Sequence, residues 1–353
     1  MENGESSIRS TDGAFVSQQD DTKRENGQFF TTTNPFNHLA FHRWIGLMNK
    51  EERTSKWLEP FAGANNILEM LSSVGVKRSD EENWQCYDIE PVNDEENSSG
   101  VRVEERDMFV DYPSNFPVAV TNPPYLAKNS ATRRGLAFPD TKYDDVYKHA
   151  VDLMLGNHDW VAAIIPESFI TCRDSELKTR LWAVVSLNCS MFEDTEVPVC
   201  LALFINKAHD DPRIWDADGR CLGAYADFQK HNDFEGVDLN LRFNDPSGSL
   251  GLYACDDTKT ASIHFCDGEN IESERVKQTS RAVTRISGAG HLDTDELVRL
   301  CNQKLNEWRT ATEDIFLTSF KGLRDDGQYR RRLDWANAAR IISWAGARVE
   351  GAE

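Results

Sequence analysis

No apolar run in this chain approaches the roughly 20 residues that cross a bilayer as a helix. The first 25 residues are rich in Ser, Asp, Glu, Asn and Gln and hold no apolar core of the kind a secretory signal needs. Residues 1–25 therefore read as a disordered tail, and no membrane partner is expected. Cysteine is scattered: Cys86, Cys172, Cys189, Cys200, Cys221, Cys255, Cys266 and Cys301 form no C-x-x-C pair and no His/Cys cluster at zinc spacing. That excludes a zinc finger and gives no sign of a disulfide framework; free thiols in a reducing cytoplasm, with no metal, are the expectation. Cations are also in deficit, 39 against 59 acids, for a net charge of -20. Taken alone, this argues against a polyanionic partner.

The distribution of charge softens that exclusion. Acid is concentrated in loops such as "SDEEN" (79–83) and "NDEEN" (93–97), whereas 276–290, "VKQTSRAVTRISGAG", holds Lys277, Arg281 and Arg285 and no acid. In 320–340 six cations (Lys321, Arg324, Arg330, Arg331, Arg332 and Arg340) face three acids. A locally basic face on an acidic body is compatible with a phosphate backbone.

At 353 residues there is room for a full α/β domain and a second one. Residues 55–206 alternate short apolar runs with amphipathic stretches, the pattern of a mostly parallel sheet covered by helices. Strands are expected near 56–60, 84–89, 101–105, 116–121, 160–166, 184–192 and 199–206, and helices over 65–74, 143–156 and 174–182. From about 208 the text becomes turn-rich and loses the βαβ rhythm, which marks a domain boundary.

The run "VAVTNPPY" (118–125) stops at two prolines. Proline lacks an N–H and has a fixed φ, so neither Pro123 nor Pro124 can continue a central strand. What remains is a rigid turn carrying an amide (Asn122), bare carbonyls and a ring (Tyr125), at the sheet edge where open α/β folds bind ligands. Three earlier strand ends carry ligand-type residues too. "EPFAGANN" (59–66) turns from strand to helix: Pro60 breaks the strand, Gly63 permits close backbone approach, and the helix start offers free N–H groups. "YDIEP" (87–91) places carboxylates at the second strand tip, at roughly the spacing used for ribose hydroxyls, and "RDMF" (106–109) adds an acid and a ring at the third. Glu59, Asp88, Asp107 and Asn122 thus follow one another at four successive strand ends.

These residues resemble a family, the S-adenosylmethionine-dependent DNA methyltransferases that modify exocyclic amino groups, and within it the adenine-N6 enzymes. The resemblance covers about 26–206, and Asn122-Pro123-Pro124-Tyr125 is its most specific element. Upstream, "GQFFTT" (27–32) is similar to the G-Q-[FY]-F-T-P segment of such enzymes, with Thr32 in place of the proline. Asn65 stands where a second glycine is expected, and asparagine tolerates φ > 0. The motif order resembles the gamma arrangement. The resemblance implies a Rossmann-like methyltransferase domain with a mostly parallel seven-stranded sheet at 26–207, a smaller C-terminal target-recognition domain at 208–353, and S-adenosylmethionine as cofactor. It implies cofactor contacts from Phe30, Thr31, Glu59, Pro60, Phe61, Gly63, Asp88, Ile89, Asp107, Met108, Phe109 and Asn122. Asp88, or Glu90 in its place, would take the ribose; Asp107 would accept from the cofactor's adenine amino group, with Phe109 or Met108 against its ring. Phe192 would sandwich a flipped base opposite Tyr125, or is simply core. Double-stranded DNA, a cognate restriction nuclease and a prokaryotic or virus-infected host cytoplasm follow as partner and setting.

The chemistry gives a reason for the residue types. An adenine amino nitrogen is a poor nucleophile because its lone pair is delocalised, and in a duplex it must first be flipped out. Acceptors at the Asn122 side chain and the Pro123 carbonyl would favour a more tetrahedral nitrogen, and such bonds strengthen toward the transition state. Two prolines fix the carbonyl beforehand. The loop 126–145 is too long to be a mere connector, and its Lys128, Arg133 and Arg134 are candidates for DNA phosphates, as are Lys321, Arg324, Arg330, Arg331 and Arg332 in "FKGLRDDGQYRRRLDW". Competing readings keep the motif and change the substrate, to a glutamine amide of a protein or an amino group of RNA, or drop the chemistry for a DNA-binding module on the same fold.

Overall fold

A computed structural model describes residues 34–93, 95–97, 99–187 and 197–351, with the Lys321 side chain excepted. Phe30, Thr31 and Phe192, with the "GQFFTT" segment and the 1–25 tail, lie outside the described residues. The chain divides into two compact units: 34–36 with 48–165, and 37–47 with 166–187 and 197–351. Compactness thus follows a different line from the expected limits of 26–207 and 208–353, since two segments of the first half fold with the second.

The first unit is built on five parallel strands, β1 (Trp57–Glu59), β2 (Trp84–Asp88), β3 (Val103–Glu105), β4 (Val118–Thr121) and β5 (Trp160–Pro166), in the order β3-β2-β1-β4-β5. This is a Rossmann-like α/β arrangement, with strand order reversing between β1 and β4. Every residue of β1, β4 and β5 is buried, which is why these strands read as near-continuous apolar runs. The helix Asn66–Ser73 buries Ile67, Leu68 and Leu71, and the helix Val146–Asn157 buries a stripe including Ala150, Val151 and Met154. β4 ends at Thr121, immediately before Asn122 and the two prolines.

The second unit contains β6 (Leu181–Leu187), β7 (Val199–Phe204), β8 (Arg213–Trp215) and β9 (Cys221–Ala224), in the order β7-β6-β8-β9. β6 pairs antiparallel with β7 and parallel with β8. Two strands, β8 and β9, are thus added to the seven expected. The helix expected over 174–182 is only a 3-10 turn at Ser175–Lys178, and Leu181 already lies in β6. The helix Leu39–Leu47 belongs here: its Trp44 indole N–H donates to the Phe204 carbonyl at 2.9 Å.

Beyond β9 the unit carries two smaller sheets. Strands β10 (Arg242–Phe243), β11 (Leu250–Tyr253), β12 (His264–Asp267) and β13 (Val283–Ser287) form an antiparallel sheet in the order β10-β13-β11-β12, and β14 (Thr318–Leu323) pairs with β15 (Tyr329–Arg332). One face of the larger sheet, with Leu250, Leu252, Phe265 and Ile286, joins a core with Leu297, Leu305 and Trp308 of the helix Thr294–Thr312 and Ile341 and Ile342 of the helix Trp335–Glu350. Among the described residues no helix is long and apolar enough to cross a membrane, and no group of His, Cys, Asp or Glu is arranged to hold a metal.

Candidate active site

Because β1 to β4 run parallel as neighbours, their carboxyl ends open on one edge of the sheet, and the four expected carriers are brought there together. β1 ends on Glu59, fully buried, whose Oε1 accepts the Thr121 hydroxyl at 2.5 Å from the end of β4. Burial holds the Glu59 carboxyl well above its ordinary range, against the hydrogen bonds from Thr121 and the Phe61 backbone, and Asp88 pushes the same way. Its second oxygen is buried without a hydrogen-bond partner among the described residues. The reversal of strand order thus carries a buried carboxyl held above its ordinary range, one oxygen of which has no hydrogen-bond partner among the described residues.

The turn after β1 is preformed. Gly63 (φ 48°) and Asn65 (φ 60°) both adopt left-handed backbone, so asparagine fills the position where a glycine was expected. The Asn65 amide also donates to the Val101 carbonyl at 2.9 Å, which ties the turn to the segment before β3. The Gly63 N–H donates to Asp88 Oδ2 at 2.8 Å, and Asp88 Oδ1 accepts from the Glu90 N–H at 3.0 Å. Asp88 is therefore buried and oriented by backbone, whereas Glu90 and Ile89 beside it are exposed. Pro60 is buried in the same turn.

At the end of β3, Asp107 Oδ1 accepts the Phe109 N–H at 2.9 Å, and Met108 is buried. The Phe109 ring lies 5.2 Å from the His149 ring, nearly parallel at 14°, and 5.5 Å from Phe61. His149 was not foreseen: it sits inside the helix Val146–Asn157 with no local motif to mark it. Burial lowers its pKa, so its imidazole is neutral at neutral pH and packs as an aromatic plane.

After β4, the Tyr125 hydroxyl bridges the Asn122 side-chain oxygen and the Ile164 carbonyl of β5, the latter at 2.6 Å. The tyrosine ring meets Tyr147 edge-on at 6.3 Å. Pro123 is buried and Pro124 half-buried. The chain beyond is pinned: Asp145 Oδ1 accepts from the Leu126 N–H at 3.1 Å and caps the helix Val146–Asn157 through the Tyr147 N–H. The expected loop contains a helix, Lys128–Arg134, with Lys128, Arg133 and Arg134 exposed.

Asp145 was also missed, although an aspartate before a helix is a readable cap. Burial pushes its carboxyl from the ordinary 3.8 to about 6, against the backbone hydrogen bonds from Tyr147 and Leu126. The folded state thus binds this proton more tightly than the unfolded chain, so the contribution is present at low pH and is lost as pH rises through 6. An Asp145→Asn variant keeps a good cap and has no proton to lose. Its thermal midpoint should gain on wild type between pH 4 and pH 8; a difference that does not change with pH would show that Asp145 is not the source.

In the second unit the basic stretch 320–340 differs from expectation. Arg331 is buried, its guanidinium on Glu167 at 2.6 Å, and Arg324 bridges Asp256 at 3.0 Å and Asp326 at 2.9 Å. Asp256 is fully buried and also receives Arg309 at 3.0 Å; burial alone would raise its carboxyl, but the hydrogen bonds from Arg309 and from the Ser262 and Ile263 backbone outweigh it. Arg324 and Arg331 are thus engaged by carboxylates inside the fold and are not available to a phosphate. The Arg330 Nε donates to the Asp256 carbonyl at 2.8 Å with its guanidinium over Phe320, and Arg332 is half-buried.

No family model matches the chain, and no curated protein matches it in sequence. Solved structures do match. An assembly of a type I restriction–modification system aligns at 15% identity over 58% of this chain and 48% of that one, with a TM-score of 0.39. The type IIG restriction endonuclease BpuSI aligns at 17% identity over 57% and 29%, with a TM-score of 0.41. A putative class I S-adenosylmethionine-dependent methyltransferase from Listeria monocytogenes aligns at 10% identity over 58% and 72%, with a TM-score of 0.38. The chain spans about half or less of the length of the first two.

Proposed function

We propose that this chain is an S-adenosylmethionine-dependent DNA methyltransferase acting on the N6 amino group of a flipped-out adenine. The observation that carries the reading is the placement of Asn122-Pro123-Pro124-Tyr125 at the end of β4, beside the reversal of strand order, on the edge that also holds Glu59, Asp88 and Asp107. The residues fit the cofactor in kind: a turn in left-handed backbone at Gly63 and Asn65, a buried carboxylate at Asp88, and a buried Glu59 oxygen with no hydrogen-bond partner among the described residues. Asp88 and Ile89 would hold the ribose, and Asp107 with Met108, Phe109 and Phe61 the adenine ring. When bound, the cofactor supplies an electrophilic methyl group on a sulfonium.

The remaining work belongs to the chain. Asn122 and the Pro123 carbonyl accept hydrogen bonds from the amino group and hold its lone pair out of conjugation. Tyr125 gives the base a ring face, and its hydroxyl, bridging Asn122 and Ile164, sets the direction of the amide. Lys128, Arg133 and Arg134, exposed on their short helix, would meet phosphates; a cognate nuclease is the partner class the reading implies. The test is incubation of the full chain with duplex DNA and labelled cofactor, followed by digestion to nucleosides. N6-methyl-2′-deoxyadenosine in the digest is the expected product. Label in added protein or RNA instead would move the substrate, and cofactor or DNA binding without transfer to any of them would leave a binding module.

A second expectation concerns affinity. Asp107→Ala should weaken cofactor binding by about 1–3 kcal/mol, the cost of a buried polar partner left unmet. Calorimetry with unchanged affinity would place the cofactor elsewhere.

A further inference from the structure

The cations of the 320–340 stretch are largely held within the fold, but another basic segment of the same unit is not. Glu272 and Glu274 close an acidic stretch, and from Arg275 to Gly290 no acid occurs. Arg275, Lys277 and Arg281 are exposed, and none of them forms an ion pair among the described residues. In a chain of net charge -20, this run of 16 residues from Arg275 to Gly290 carries only positive charge.

The segment is held in place. Val276 is buried, the Asn244 side-chain amide donates to the Gln278 and Ser280 carbonyls at 2.9 and 3.2 Å, and the Ser280 hydroxyl donates to the Val283 carbonyl at 2.6 Å. Lys277 and Arg281 therefore project from the two ends of a fixed turn that leads into β13. On the neighbouring strands, Tyr253 of β11 and His264 of β12 stand opposite each other with rings 4.9 Å apart at 18°, and the Arg275 guanidinium lies 5.8 Å from the Tyr253 ring. The stack gives the Arg275 guanidinium a ring to lie against, and the Arg285 Nε of β13 donates to the Gly248 carbonyl at 2.8 Å.

We propose that the turn 275–281, with Arg275 steadied on the Tyr253–His264 stack, is a surface that grips the phosphate backbone of duplex DNA. Exposed cations with no ion pair among the described residues, carried on a hydrogen-bonded turn, meet the requirement of such a contact: charge complementarity with little ordering cost on binding. The surface sets position along the duplex and not the sequence read. The proposal rests on the DNA-methyltransferase reading, and takes for this turn the role that Arg324 and Arg331 cannot fill.

The test uses the full chain and a labelled random-sequence duplex, with anisotropy titrations over a salt series for wild type, Lys277→Ala, Arg281→Ala and the double variant. Cofactor binding in parallel reports that each variant is folded. Each lost phosphate contact should lower the slope of log affinity against log salt by about 0.9, and the double variant by about twice that, with cofactor affinity unchanged. If wild type binds the duplex and the double variant keeps its slope, the surface is wrong while the methyltransferase reading stands. If wild type binds no duplex at any salt, the DNA reading itself fails and this surface with it.

Discussion

Asn122→Ala is expected to lower the rate of methyl transfer by about 10²-fold or more, the usual consequence of deleting one preorganised group at the reacting atom. Binding should survive, because Asn122 emerges after the last residue of β4 and the two prolines behind it hold the turn without it. Tyr125→Phe separates two roles of the next aromatic residue. It keeps the ring for stacking and removes only the hydroxyl that bridges Asn122 and the Ile164 carbonyl. A smaller fall in kcat with KM unchanged is expected, since the amide loses its orientation and the base keeps its platform. Single-turnover transfer to duplex DNA, with cofactor affinity measured alongside, decides both. Near wild-type transfer by Asn122→Ala would remove the catalytic assignment.

The largest stability effect should come from Glu167→Ala. Glu167 follows β5 directly and is buried, and its carboxylate takes the Arg331 guanidinium at 2.6 and 3.3 Å together with the hydroxyls of Ser186 and Ser319. Deleting the carboxylate leaves a buried guanidinium without its counter-charge, a change that typically costs about 3–5 kcal/mol. Replacing both partners, as in Glu167→Leu with Arg331→Met, should recover most of the loss because neither charge then needs compensation. Urea unfolding followed by tryptophan fluorescence reads the series. A single variant with a wild-type midpoint would mean that solvent reaches Arg331, and the pair would no longer count as buried.

The edge of the first sheet was legible because its signals are local. Two prolines stop β4 whatever surrounds them, and an asparagine in a glycine's place still predicts a turn with positive φ, which Asn65 adopts. Acids at the tips of β1 and β2 were legible for the same reason. What failed was non-local. "DSELKTRLW" has a helical pattern, but Leu181 and its successors pair with β7 and β8, and that demand ends the helix after one turn. "YRRR" looks like an exposed basic run, yet Arg331 meets a carboxylate 164 residues earlier in the chain. Nothing near either residue announces the other. His149 is hidden likewise, since only the packed fold lays its ring on Phe109.

The turn after β1 has a kinetic consequence. Gly63 and Asn65 hold left-handed backbone, the Gly63 N–H is on Asp88 and the Asn65 amide on Val101, so this turn is fixed by the chain's own hydrogen bonds. A molecule arriving there meets a turn whose backbone is already set. Encounter should then proceed at similar speed for close analogues of one another, and selectivity among them should be written in residence time, with the poorer fit leaving sooner and not arriving later.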